Sequence, residues 1–199
     1  PAKYTDYRKL LDDKNVDAVA IATPDHWHAL MFIDACKAGK DVYCEKPITL
    51  TIEEGRRLVE TCRRFGTIYQ AGTQRRATAS YRFARELVRS GSIGRLRRIE
   101  MQVWAGATVR HATAAPVPEG FDYDQWLGPV PWRPYVPARV EGHGWMCFWD
   151  TADGMHVDMG VHYTDQMQWT LGRDHGGPVE FEASDLEWPD PAVHMSETA

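Results

Sequence analysis

The chain has 199 residues and a formal net charge of −5, with 43% hydrophobic, 26% charged and 11% aromatic residues. That length admits one large domain or two small ones, and that composition buries a core, which excludes a disordered chain and a coiled coil. The mild acidity leaves no basic excess for a phosphate backbone, so nucleic acid is not an expected partner and the ligand should be small.

Cys36, Cys44, Cys62 and Cys147 have no CxxC spacing and are too scattered for a disulfide framework, so reduced thiols are expected. No apolar run approaches the roughly 20 residues that cross a bilayer, and no membrane partner is expected.

In chain order, Asp17 to Thr23 is a short apolar run of strand length, ended by Pro24. A helical pattern through Ala29, Leu30, Ile33 and Ala35 closes at Gly39, and Asp41 to Pro47 supplies a second strand. Thr51 and Glu54 have the spacing of a capping box. Ile52, Leu58, Val59, Cys62 and Phe65 then continue at helical spacing to Gly66, and Thr67 to Gly72 reads as a third strand.

Strands alternating with helices on this spacing imply a parallel βαβαβ sheet, which binds ligands at the carboxyl ends of its strands. Thr23-Pro24, Glu45-Lys46-Pro47 and Gly72-Thr73-Gln74 should therefore share one edge.

A further helix is expected from about Ser80 to Gly91, with Phe83, Ala84, Leu87 and Val88 on one side. Leu96 to Trp104 then alternates polar and apolar, as an antiparallel strand with one wet face does. This places a domain boundary near Gly91, giving units 1–91 and 92–199, an α/β unit and an α+β unit with a mainly antiparallel open sheet. Residues 111–144 read as a long ordered, proline-rich loop with Trp126 and Trp132 embedded, a plausible binding loop.

Asp158 to Asp165 leads into a helical pattern ended by Gly172, so Asp158 and His162 stand one turn apart, with Asp165 three residues further on. A carboxylate and an imidazole on that spacing converge on one hydroxyl, His162 accepting its proton while Asp158 orients it. Taken alone, the pair reads more often as structural.

Asp17-Ala-Val-Ala-Ile-Ala-Thr-Pro24 with His28, then Glu45-Lys46-Pro47, then Gly91-Ser-Ile-Gly94 before a strand, then Asp158-x-Gly160-x-His162-x-x-Asp165, resemble in order and spacing the Gfo/Idh/MocA oxidoreductase family. The stretch Pro118 to Pro129 resembles a bacterial subgroup with a tryptophan-rich loop. The resemblance implies a Rossmann domain followed by an open-sheet domain, NAD or NADP as cofactor, and hydride transfer from a hydroxyl carbon of a sugar, polyol or sugar derivative. It also implies a homo-oligomer in the cytoplasm.

Carried over residue by residue, Lys46, Asp158 and His162 are the catalytic set. Thr23, Pro24, His28, Glu45, Lys46 and Gln74 are the cofactor side, and Lys46, Trp126, Trp132, Asp158 and His162 the substrate side. The front departs from the family pattern. No glycine-rich strand-turn-helix precedes Asp17, and Pro189 to Ala199 ends inside the second domain, so the expectation is a chain shortened at both ends that binds NAD poorly when alone.

Plainer readings stand beside these. Lys46 is compatible with a solvated loop lysine. His26 and His28 lack a third ligand at a metal spacing, so no metal is expected. Trp126, Trp132 and Trp145 suit loop packing as well as a sugar face. Two readings from other classes stand beside this one: an NAD-dependent glycosidase, which would share the same cofactor edge, and a non-catalytic binding or assembly fragment, which fits the absence of a phosphate-binding loop.

Overall fold

A computed structural model describes residues 2–103, 113–180, 182 and 184. Strands β1 (Ala18–Ile21), β2 (Asp41–Glu45) and β3 (Tyr69–Gly72) form a parallel sheet in the order β1-β2-β3. Helix α1 (Tyr7–Asp12) precedes them, and α2 (Asp25–Lys37) and α3 (Ile52–Phe65) make the crossovers of a Rossmann-like βαβαβ unit. Each strand is shorter than its apolar run because Thr23-Pro24 and Lys46-Pro47 lie beyond the last ladder pairs, and proline has no N–H to donate to a ladder.

The core explains why these segments hold together. Ile21, Val42 and Cys44 of the sheet meet Ala29, Phe32, Ala35 and Cys36 of α2 and Leu58 of α3. Phe32 is 1% exposed and its ring meets Tyr69 of β3 edge-on at 4.8 Å. Burying such a side chain stabilises by about 1.5–3 kcal/mol, so this contact pins α2 to the sheet. Of α3, only Leu58 is buried, while Ile52, Val59 and Phe65 are exposed. Its start is fixed by the expected capping box: Glu54 N donates to Thr51 Oγ1 at 3.1 Å and Thr51 N to Glu54 Oε2 at 3.2 Å.

Helix α1 was not anticipated; Asp6 caps it by accepting from Arg8 N at 2.9 Å. Buried Lys40 ties the segment after α1 to the start of β2, its Nζ donating to the carbonyls of Asp13 at 2.9 Å and Val16 at 2.6 Å.

Beyond β3 come a 3-10 turn (Gln74–Ala77) and α4 (Ala79–Arg89). The strand expected over Leu96–Trp104 is corrected: Leu96 to Val103 forms no strand, and Trp104 lies outside the described residues. Alternation makes a strand only when a neighbour completes the ladder, and among the described residues no second sheet supplies one.

Residues 111 and 112 of the proline-rich loop lie outside the described residues; the rest, 113–144, contains two short helices, α5 (Tyr123–Leu127) and α6 (Pro137–Val140). Tyr123, Leu127 and Tyr135 form its own small core. The Trp126 carbonyl accepts from Trp27 Nε1 at 3.0 Å and lies 2.9 Å from His26 Nε2, which fastens the loop onto the first turn of α2. A second 3-10 turn (Gly144–Cys147) leads to the longest helix, α7 (Gly154–Leu171), closed as expected by Gly172 at φ 69°.

Candidate active site

The parallel register, with Ile21 beside Cys44 and Glu45 beside Gly72, brings the carboxyl ends of the three strands to one rim. Lys46 is the first residue past β2. Its Nζ donates to Asp158 Oδ1, a very close contact, and to the Asp158 carbonyl at 3.1 Å. The two side chains are 15% and 8% exposed, so this ion pair is largely shielded from water. One turn along α7, His162 is buried and its Nδ1 has no hydrogen-bond partner among the described residues.

Burial, then the positive charges of Lys46 and Arg75, hold the His162 imidazole below its ordinary pKa, against the opposing pull of Asp158 and Glu45. The ring is thus neutral at neutral pH and able to accept a proton.

A second contact fixes α7 over the rim. Arg76, in the 3-10 turn after β3, grips Asp165 with Nε at 3.0 and 2.8 Å and Nη2 at 2.5 Å, and Nη2 also donates to Asp174 at 2.9 Å. Asp165 therefore serves as an anchor, and the helix that carries Asp158 and His162 is tied to the strand ends that carry Lys46. Arg75 lies 4.5 Å above the Tyr163 ring on the same interface.

The other sequence-selected residues are placed as follows. Thr23 is half-buried, with Oγ1 unpartnered among the described residues, and Pro24 caps α2. His28 is 1% exposed, with Nδ1 2.6 Å from the Pro47 carbonyl and Nε2 2.8 Å from the Thr23 carbonyl; burial keeps the ring neutral, so its single N–H donates to one of these two carbonyls while the ring packs between both rim loops. Glu45 accepts from the Tyr43 hydroxyl at 3.0 Å, and Gln74 is exposed at the start of its turn.

Trp126 packs on Tyr123, their rings stacked at 5.9 Å, and lies 5.2 Å from the His26 ring. Trp132 is 68% exposed and lines a cavity of about 440 Å³ with Phe121 and Tyr135, apart from Lys46. The structure thus brings Lys46, Asp158 and His162 together and leaves the two tryptophans elsewhere. Among the described residues no group of three His, Cys, Asp or Glu side chains is placed to hold a metal ion.

Asp25 was missed. It opens α2, is 5% exposed, and its Oδ2 has no hydrogen-bond partner among the described residues. Burial, reinforced by the neighbouring Asp158 carboxylate, pushes its carboxyl up to about 7, while the Trp145 indole and Lys46 pull it down. Its only sequence signal is a carboxylate directly after the rim proline, which reads equally as a helix start.

Comparison with known proteins extends this geometry. Residues 1–73 match a family model described as an oxidoreductase family, NAD-binding Rossmann fold, and residues 93–195 match its C-terminal alpha/beta domain. The chain is 35% identical over 185 residues to a 1,5-anhydro-D-fructose reductase of Ensifer adhaerens, covering 90% of this chain and 45% of that protein. It is 26% identical over 171 residues to a myo-inositol 2-dehydrogenase of Thermotoga maritima, covering 86% and 41%. Among solved structures, the myo-inositol 2-dehydrogenase of Lactobacillus plantarum superposes with a TM-score of 0.54 at 26% identity, covering 85% of this chain and 41% of that one. The chain spans about two fifths of the length of these relatives.

Proposed function

Because this chain belongs to the Gfo/Idh/MocA oxidoreductase family, we propose that it contributes the proton-handling half of an NAD- or NADP-dependent oxidation of a sugar, polyol or sugar-derivative hydroxyl. The observation that carries this reading is the Lys46–Asp158 contact with neutral His162 one turn away. A hydroxyl carbon releases hydride only as its oxygen loses a proton, so the site needs a hydroxyl-binding cation and a base with a free lone pair.

In this reading a substrate hydroxyl docks between Lys46 and His162. The Lys46 ammonium donates to the hydroxyl oxygen and stabilises the negative charge that develops there. Asp158 holds the ammonium in place, and the His162 ring takes the proton. NAD or NADP, when bound along the rim, supplies the hydride acceptor. Thr23, Pro24, Glu45, Lys46 and Gln74 would face it, with the His28 ring packed between two of the loops and donating to one of them. The unpartnered, buried Thr23 Oγ1 supports that assignment, since such an atom is costly unless a ligand meets it.

Two relatives are named for inositols and one for an anhydro-fructose, which supports a polyhydroxylated ring as substrate class. The same reading takes the units 1–91 and 92–199 as separate domains and the working form as a cytoplasmic homo-oligomer. The test is to supply the full-length protein with NAD or NADP and a panel of inositols, aldoses and anhydro-sugars, following the absorbance of the reduced nicotinamide. Turnover confined to hydroxylated rings supports the reading, and no reduction with any member of the panel contradicts it.

A further inference from the structure

Asp25 is a buried carboxyl whose Oδ2 makes no hydrogen bond among the described residues; the Trp145 indole N–H, likewise unpartnered, acts on it only weakly, and the Lys46–Asp158 ion pair that also acts on it is already neutral overall. The groups whose charge or N–H acts on it are Asp158 from α7, Lys46 from the end of β2, Asp153 from the turn before α7, and Trp145 from the second 3-10 turn. Two of the three charged neighbours are acidic. A second buried anion at this spot would repel Asp158 and compete for Lys46. The positive end of α2 favours an anion at its first residue, but that effect amounts to only about 0.3–1 kcal/mol and does not offset burial beside like charge.

We propose that Asp25 is a positioning residue of this site, holding the proton that keeps Lys46 shared between Asp158 and the substrate hydroxyl alone. The inference rests on the oxidoreductase reading above. With Asp25 as the neutral acid, the three groups together carry no net charge and Lys46 points at Asp158. When Asp25 loses its proton to solvent, the site carries one excess negative charge and Lys46 is drawn between two carboxylates, away from the hydroxyl. Nothing is oxidised or reduced in this step; one proton leaves the Asp25 carboxyl and enters water.

The consequence is a loss of kcat/KM as pH rises through neutrality that belongs to Asp25 and not to His162, whose titration acts on the acid side. Binding of a hydroxyl ligand next to Lys46 should in turn favour the protonated form of Asp25, because both ask the ammonium to stay where it is.

The experiment uses the full-length protein with carboxyl-labelled aspartate, followed by NMR from acid to alkaline pH without substrate. The expected result is one carboxyl titrating near neutrality that disappears in Asp25→Asn and moves to lower pH in Asp158→Asn, because a repelling neighbour has been removed. Kinetics then separate this inference from the parent reading. In Asp25→Asn the neutral-side inflection of kcat/KM should vanish, while Lys46→Met tests the oxidoreductase role itself. An Asp25 signal titrating in the ordinary carboxylate range, or one unmoved by Asp158→Asn, overturns the proposal even if Lys46→Met abolishes turnover. An unchanged inflection in Asp25→Asn overturns it as well.

Discussion

Arg76 and Asp165 form a forked ion pair across 89 residues of chain, joining the turn after β3 to the middle of α7. Asp165 is 17% exposed at the side chain and Arg76 36%, so water screens the pair only partly. A planar fork of this kind fixes orientation as well as distance. Since α7 carries both Asp158 and His162, the fork sets how those groups face Lys46.

Asp165→Asn removes the charge and keeps the shape. It should cost about 1 kcal/mol of stability, at the upper end for a partly exposed pair, and lower kcat by a larger factor than that loss of folded protein explains. Urea unfolding and steady-state kinetics on the same preparation check this. A stability loss with unchanged kcat contradicts the anchoring role.

Gly72 ends β3 directly against Glu45. A Cβ there would sit 2.7 Å from the Glu45 Cα, and because that atom is backbone it cannot swing aside. Gly72→Ala should therefore push β2 and β3 apart at the rim, destabilising by about 1–3 kcal/mol. Lys46 follows Glu45, so the same change should raise KM. Thermal unfolding and a KM measurement test the two effects.

The buried titratable groups give stability a pH dependence of two opposite signs. Burial lowers the pKa of His26, His28 and His162, so the unfolded chain binds protons more readily and stability falls as pH drops below about 6.5. Asp25, raised from 3.8 to about 7, is the reverse case: the folded chain holds the proton, and stability falls as pH rises from about 4 to about 7. At about 1.4 kcal/mol per unit, that slope amounts to about 4 kcal/mol as an upper bound. Asp25→Asn should remove its part of that slope, leaving the acid-side loss from the histidines and the contribution of Asp153, whose carboxyl burial also raises. Denaturant melts from pH 4 to 8 on both proteins resolve the two slopes, and an unchanged slope in the variant contradicts the assignment.

How much of this was legible in the sequence follows from how local each signal is. The βαβαβ unit was readable because apolar runs, the Thr51–Glu54 box and Gly66 are all short-range marks. Lys46, Asp158 and His162 were readable from spacing together with the family resemblance, and the structure brings them together. Asp25 was not, because its character comes first from burial, which only the tertiary fold creates, and then from Asp158, which is distant along the chain. Arg76 carries no sequence mark of its role, because its partner Asp165 lies 89 residues away. The strand expected from Leu96 is absent over Leu96–Val103 for the same reason in reverse: alternation is local, whereas a ladder needs a neighbour that no local pattern guarantees.

The loop that carries Trp126 is fastened to α2 by a backbone acceptor as well as by the contact of its ring with His26. Trp27→Phe removes the indole N–H that donates to the Trp126 carbonyl at 3.0 Å and keeps most of the apolar contact. A loss of about 1 kcal/mol is expected, together with faster amide hydrogen exchange in α5. Exchange in α5 as slow as in the parent protein contradicts this anchoring.

The central claim is that Lys46 and His162 act on one substrate hydroxyl, and the most direct measurement is the split between chemistry and cofactor binding in Lys46→Met. In the full-length protein, turnover should fall by about 10²- to 10⁴-fold, the usual cost of removing a positioned acid or base. The Kd for NAD or NADP should change far less, because the charge that Lys46 meets develops on the hydroxyl oxygen. His162→Ala should lose turnover similarly, with an altered acid limb of its pH profile. Turnover of Lys46→Met close to that of the parent protein, or a loss explained wholly by weaker cofactor binding, contradicts the account.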